Sequence, residues 1–158
     1  MDLNDWILSL HLLAAFALVG AEVVFTIQLV ALWRTEETAR VTSFVTLSRV
    51  ATAMVIAGTL GTIVFGVWLA LSKDGYALWD GWIIAAIILW AIGSGLGQRS
   101  GNEYAAAAAR AGELSAAGTQ TSPEVAEAFG ASRAFWLHVA TSVVVLLVLV
   151  DMIWKPGA

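Results

Sequence analysis

The stretch 6–33, WILSLHLLAAFALVGAEVVFTIQLVALW, constrains this chain more than any other. It is apolar for almost its whole length, carries tryptophan at both ends, and holds two ionisable side chains, His11 and Glu22. A hydrocarbon core ~30 Å thick needs about 20 apolar residues, so the stretch predicts a transmembrane helix with length to spare for tilt or projection. His11 and Glu22 are eleven residues apart. At ~100° and ~1.5 Å per residue they share one helix face, about 16 Å apart. A carboxyl inside such a helix is costly and faces a bundle interior, which makes Glu22 a candidate site by default. A cleaved leader is the competing reading. The preceding MDLND is acidic and apolar sequence runs well past Val19-Gly20-Ala21, so a retained helix is expected.

Three more segments are long and apolar enough to cross a bilayer: about 48–71, 78–96 and 135–153. With 59% hydrophobic and 13% charged residues, the expectation is an all-α, four-helix transmembrane bundle forming one membrane domain over 1–158. The segments 34–49 and 97–134 hold Arg34, Arg40, Arg49, Arg99, Arg110 and Arg133, while the other side has only Lys73 and Lys155. By the positive-inside rule both termini lie outside, and the loops 34–47 and 97–134 are cytoplasmic. Trp6, Trp68, Trp79, Trp82 and Trp154 are then expected to form an outer interfacial belt. Trp33 and Trp136 form an inner one, and Trp90 sits at mid-depth.

Small residues recur along the second span. Ala53, Ala57 and Gly61 form one ridge and Gly58, Thr62 and Gly66 a neighbouring one, the usual device for close helix packing in lipid. These ridges suit either a partner subunit or the protein's own core. Gly93, Gly95 and Gly97 mark a place where the third span can bend on leaving the membrane. The alanines 105–109 predict a helix that extends this span or lies at the cytoplasmic surface. Thr121 with Glu124, or Ser122 before Pro123, is expected to start a helix running into the fourth span.

A net charge of −4 excludes a nucleic-acid partner, since no basic patch exists. With no cysteine and three methionines, disulfides, thiolate chemistry and a soft-metal conduit are excluded. No nucleophile–base set, HExxH or CxxC occurs, so hydrolysis and phosphoryl transfer are not expected. The orientation places His11 and Asp151 near the outer face, Glu22 near the middle and His138 near the inner face. His11 and His138 are then separated by roughly 15–20 Å, too far to flank one iron. Asp151 is placed to hold the His11 imidazole, either as the partner of a ligating histidine or as a structural bond. A pocket around His11, Asp151 and Trp68 is the expected ligand site. His138 lies ~140° around the helix from Asp151, so the two are not expected to point at the bundle centre together. Glu22 has no basic partner at its depth unless Arg49 reaches it. Otherwise Thr59, Thr62, Ser94, Thr141 and Ser142 must serve. Such a carboxyl suits proton transfer, a polar ligand pocket, or simply a tie between helices.

The run Leu10-His11-Leu12-Leu13-Ala14-Ala15-Phe16-Ala17-Leu18-Val19-Gly20 resembles the first helix of small bacterial membrane proteins with an LH-x-x-A pattern followed by W-x-G, with Leu18 standing where the pattern has tryptophan. Together with the ending Met152-Ile153-Trp154-Lys155-Pro156, it is similar to an uncharacterised family (a domain of unknown function) of four-helix integral membrane proteins. More distantly, the first helix resembles those of copper-resistance D proteins and of the J-type membrane protoporphyrinogen oxidase. That last resemblance implies His11 as a haem iron ligand and haem b as the cofactor. Glu22 is not part of the pattern. Three functions follow as expectations: a non-catalytic protein of the bacterial inner membrane, as a homo-oligomer or a subunit of a larger assembly; a haem- or porphyrin-binding redox protein using His11; and a small proton-coupled transporter using Glu22.

Overall fold

The computed structural model describes residues 2–72 and 77–156, so Lys73, counted above on the outer side, lies outside the described residues. Six helices follow in order: α1 Leu3–Ala31, α2 Thr38–Ser43, α3 Val45–Ser72, α4 Gly81–Ala116, α5 Pro123–Ala128 and α6 Arg133–Trp154. Four apolar spans are present, as expected, and the chain is an all-α membrane bundle. The short α2 was not anticipated, and α5 starts at Pro123 as expected but ends before the last span.

Local chemistry sets the ends. The first helix starts at Leu3 rather than 6 because Asp2 and Asp5 form a capping box. The Asp5 N–H donates to Asp2 Oδ1 at 2.9 Å and the Asp2 N–H donates to Asp5 Oδ2 at 3.0 Å, satisfying two otherwise orphaned donors. At the far end Arg34 takes a positive φ of 52° and its N–H reaches the Phe129 carbonyl at 3.2 Å. The helix of the third span is not interrupted at its glycines. It continues unbroken through the alanines to Ala116, about 54 Å at ~1.5 Å per residue, well beyond a hydrocarbon core. The expected continuous helix from Pro123 into the last span is instead broken at 129–132. Ser132 restarts it, its hydroxyl accepting from the Phe135 N–H.

Packing pairs α1 with α3 and α4 with α6, and glycine makes both contacts close. A Cβ at Gly58 would meet Ala14 O and Leu18 Cγ at 2.8 Å, and one at Gly61 would meet Ala14 Cβ at 2.7 Å. Gly58, Gly61 and Gly66 of the second span therefore serve the protein's own α1 contact. Ala53 and Ala57 are exposed. Gly93 and Gly97 are notches for α6, against Val144 Cγ1 at 3.1 Å and Thr141 Cγ2 at 3.4 Å. Close approach accounts for both.

The two hairpins are joined at one end by a small core of Leu29, Leu32, Val41, Ala111, Val125 and Phe129. Two loops are knitted beneath it. The Thr38 N–H donates to Gln120 O at 3.1 Å, the Ser122 N–H to Glu36 O at 2.9 Å, and the buried Thr38 hydroxyl to Thr119 O at 2.7 Å. At the opposite end Trp82 is buried with Ala70, Ile83 and Met152. It is a core residue there, whereas Trp6, Trp68, Trp79 and Trp154 are exposed as a belt requires. Between the two ends, α1 and α6 meet only along a thin seam.

Candidate functional site

That seam carries the most chemistry. Glu22 and Thr26 are one turn apart on α1, and His138 and Ser142 are one turn apart on α6, so each pair projects on one helix face toward the other. The Ser142 hydroxyl bonds Glu22 Oε1. His138 Nδ1 lies 3.6 Å from the same oxygen, and His138 Nε2 lies 3.0 Å from Thr26 Oγ1. Both side chains are largely enclosed, with 11% of His138 and 19% of Glu22 exposed.

Counting protons orients the set. The Thr26 hydroxyl donates to the Glu22 backbone carbonyl at 2.9 Å, so it meets His138 as an acceptor. Nε2 then carries the ring proton and Nδ1 presents a lone pair to Glu22. Ser142 lies within reach of two acceptors, Glu22 Oε1 and the His138 carbonyl at 3.1 Å, and has one proton for both. When that proton goes to the His138 carbonyl, a protonated Glu22 donates to Ser142 or to Nδ1. Two neutral-overall arrangements exist, carboxylic acid with imidazole or carboxylate with imidazolium, and they differ by one proton moved between Glu22 and His138.

The seam opens beside this cluster into a groove of about 300 Å³, walled by Leu29, Val30 and Trp33 of α1 and its end, and by Phe135, Val139, Val143 and Leu146 of α6. Thr26, His138 and Ser142 supply its polar atoms. Trp33 and Phe135 meet edge to face with ring centroids 5.0 Å apart.

The residues singled out in the sequence are dispersed. His11 lies between α1 and α3, with a Cβ at Gly66 reaching its Cε1 at 3.0 Å and its Nδ1 at 3.3 Å. Nδ1 is buried without a hydrogen bond. With Nδ1 enclosed against α3, Nε2 is the ring nitrogen left for an iron. Asp151 is buried on α6 with Oδ2 unbonded. Among the described residues no hydrogen bond joins it to His11, and Trp68 is 48% exposed. Thr62 bonds back to Gly58 O at 2.9 Å, and Thr141 to Leu137 O at 2.9 Å. Thr59 is half-buried, while Ser94 and Arg49 are exposed. None of these makes a bond to Glu22 among the described residues. Of the hydroxyls expected around Glu22, Ser142 alone is there.

One expectation is corrected. Glu22 does have a basic neighbour at its depth, because α1 and α6 run antiparallel with Glu22 level with Ser142, and the imidazole one turn away reaches across. His138 and Asp151 are both buried although they lie on different sides of α6. Thr26 was missed; its signal was the i, i+4 spacing to Glu22 on the same face. Buried Gln28 was also missed. It accepts from the Ser48 hydroxyl at 3.0 Å, a polar tie between α1 and α3. No group of three or more His, Asp or Glu is placed to hold a metal ion among the described residues.

A family model described as a predicted integral membrane protein (DUF2269) matches residues 5–156. The chain belongs to that family. No curated protein and no solved structure matches it.

Proposed function

We propose that this integral membrane protein handles protons within the bilayer, as a small proton-coupled transporter in which Glu22 and His138 share one proton across the seam between its hairpins. The observation that carries this reading is the 3.6 Å approach of His138 Nδ1 to Glu22 Oε1. In hydrocarbon an isolated carboxylate is prohibitive, whereas a carboxyl–imidazole couple stays neutral overall whichever group holds the proton. Ser142 and Thr26 can bond either form. Intramembrane carboxyl and imidazole groups so arranged are the usual parts of proton relays.

The six arginines on one side of the spans support a bacterial inner-membrane protein with both termini outside and the Thr38–Gln120 end in the cytoplasm. The test is proteoliposomes enclosing a pH-sensitive dye under an imposed gradient. Wild type and His11→Gln are expected to show a pH change that Glu22→Gln and His138→Gln abolish. The same trace from wild type and Glu22→Gln would overturn the reading.

A second reading is favoured by the same bonds. Glu22–Ser142 crosses between hairpins and would serve as a tie in a non-catalytic protein, a homo-oligomer or a subunit of a larger membrane assembly. The exposed Ile56, Leu60 and Val64 of α3 would then face lipid or a neighbour. This reading predicts lower stability in Glu22→Ala with no change in proton flux. The haem expectation at His11 rests on an Nε2 ligand. An absorption band that shifts on reduction and vanishes in His11→Ala would support it.

A further inference from the structure

Asp151 is a buried carboxyl that the couple does not use. It stands about 14 Å along α6 from Ser142 and half a turn round the helix, so it faces α4 rather than α1. The antiparallel register fixes what it meets. Thr141 lies against Gly97 and Val144 against Gly93, and two turns further on Asp151 comes level with Ala86, a small residue that leaves room for it. Asp151 is 7% exposed and Ala86 5%. Helix side chains lean toward the N-terminus, so this carboxyl leans into the bundle, away from the helix end at Trp154. Its Oδ2 is buried without a hydrogen bond.

One turn further out the site is closed by a cation on a ring. Trp82 precedes Ala86 by four residues, and Lys155 follows Asp151 by four, its N–H donating to the Asp151 carbonyl at 2.8 Å. Lys155 Nζ lies over the Trp82 ring, 5.6 Å from the centroid. The other charged groups at this end are turned elsewhere. The Asp80 carboxylate accepts the Ala77 N–H at 2.9 Å, Asp2 and Asp5 bond each other's backbone, and His11 Nδ1 faces Gly66. On α3, whose Ala70 packs with Trp82 and Ile83, no charged residue lies between Arg49 and Ser72. A lone carboxylate between α4 and α6 is costly, whereas an uncharged acid, or a carboxylate paired with an ammonium, is not. The observed geometry, with the ammonium on Trp82, is that of the uncharged acid.

We propose that Asp151 is a second proton-binding site, separate from the Glu22 couple, and that Lys155 moves from the Trp82 ring to the Asp151 carboxylate when that proton leaves. The i, i+4 spacing brings the ammonium within reach. The site stands whether or not Glu22 and His138 share a proton, because it lies on the opposite side of α6.

The test is infrared difference spectroscopy of the full chain in phosphatidylcholine nanodiscs, titrated from acidic to alkaline pH. A protonated-carboxyl stretch that disappears in Asp151→Asn and persists in Glu22→Gln is expected. In Lys155→Gln the carboxylate loses its cation, so the band should persist to a pH higher by about one unit, a tenfold gain in proton affinity. Asp151→Asn replaces an uncharged acid by an uncharged amide and should elute and melt as wild type does. No Asp151-dependent band at any pH would overturn the proposal, and so would a titration that Lys155→Gln leaves unmoved. An unfolded Asp151→Asn rescued by adding Lys155→Gln would also overturn it, by making the two a permanent ion pair.

Discussion

At Glu22 the cost of a carboxyl in an apolar helix is offset by a bond from the Ser142 hydroxyl and the approach of the His138 imidazole, neither of them a permanent cation. Glu22→Ala should leave Ser142 and His138 without their partner, costing about 1–3 kcal/mol and lowering the thermal midpoint in detergent. Glu22→Gln, which keeps an acceptor and the volume, should unfold close to wild type. That contrast separates fold from proton handling at one position. The sequence made Glu22 conspicuous because a lone acid in a 6–33 apolar run has no other reason to be noticed. It hid His138, since depth counted from loop charges ignores an imidazole's reach over a helical turn, ~5.4 Å. His11 was conspicuous for the same reason as Glu22, yet its ring edge fills the notch at Gly66. One helix face was shared in the sequence but divided in the fold, with α3 covering part and α6 the next.

At the scale of elements, glycines divide into those that receive a neighbour and those that do not. Gly58→Val would drive a side chain into the Ala14 backbone oxygen at 2.8 Å and should part α1 from α3. The expected result is loss of the folded species in size-exclusion chromatography. Gly95 has nothing within 4 Å of a built Cβ. Gly95→Ala should raise stability by roughly 0.5–1 kcal/mol through helix propensity, read by thermal unfolding. The two glycines look alike in a list of small residues, and only the partner helix tells them apart. The long α4 was legible in its alanine run; the use of Gly93 and Gly97 as notches for α6 was not. The capping box at Asp2 and Asp5 was not read, since it lay before the apolar run that drew the boundary.

Across the whole molecule, four spans and their order follow from hydropathy alone, and the chain-long family match agrees with that plan. Hydropathy could not reveal how the spans pair. Pairing follows the close approach at Gly58, Gly61, Gly93 and Gly97, and the knitted cap, where Thr38 holds the 119–120 backbone, joins the two pairs. Thr38→Val should cost about 1 kcal/mol and speed amide exchange at 119–122 while the spans stay protected. For the proposed orientation, the absence of native cysteine makes Gln120→Cys a clean reporter. Labelling by an impermeant maleimide is expected only after the membrane is permeabilised, and labelling of intact cells would reverse the topology.

The proposed proton couple is tested most directly by infrared difference spectroscopy of the protein in nanodiscs, stepped from mildly acidic to mildly alkaline pH. A protonated-carboxyl stretch that is absent in Glu22→Gln and displaced in His138→Gln is the predicted result. A Glu22 band unaffected by His138→Gln, or no Glu22 band at any pH, would contradict a proton shared between the two.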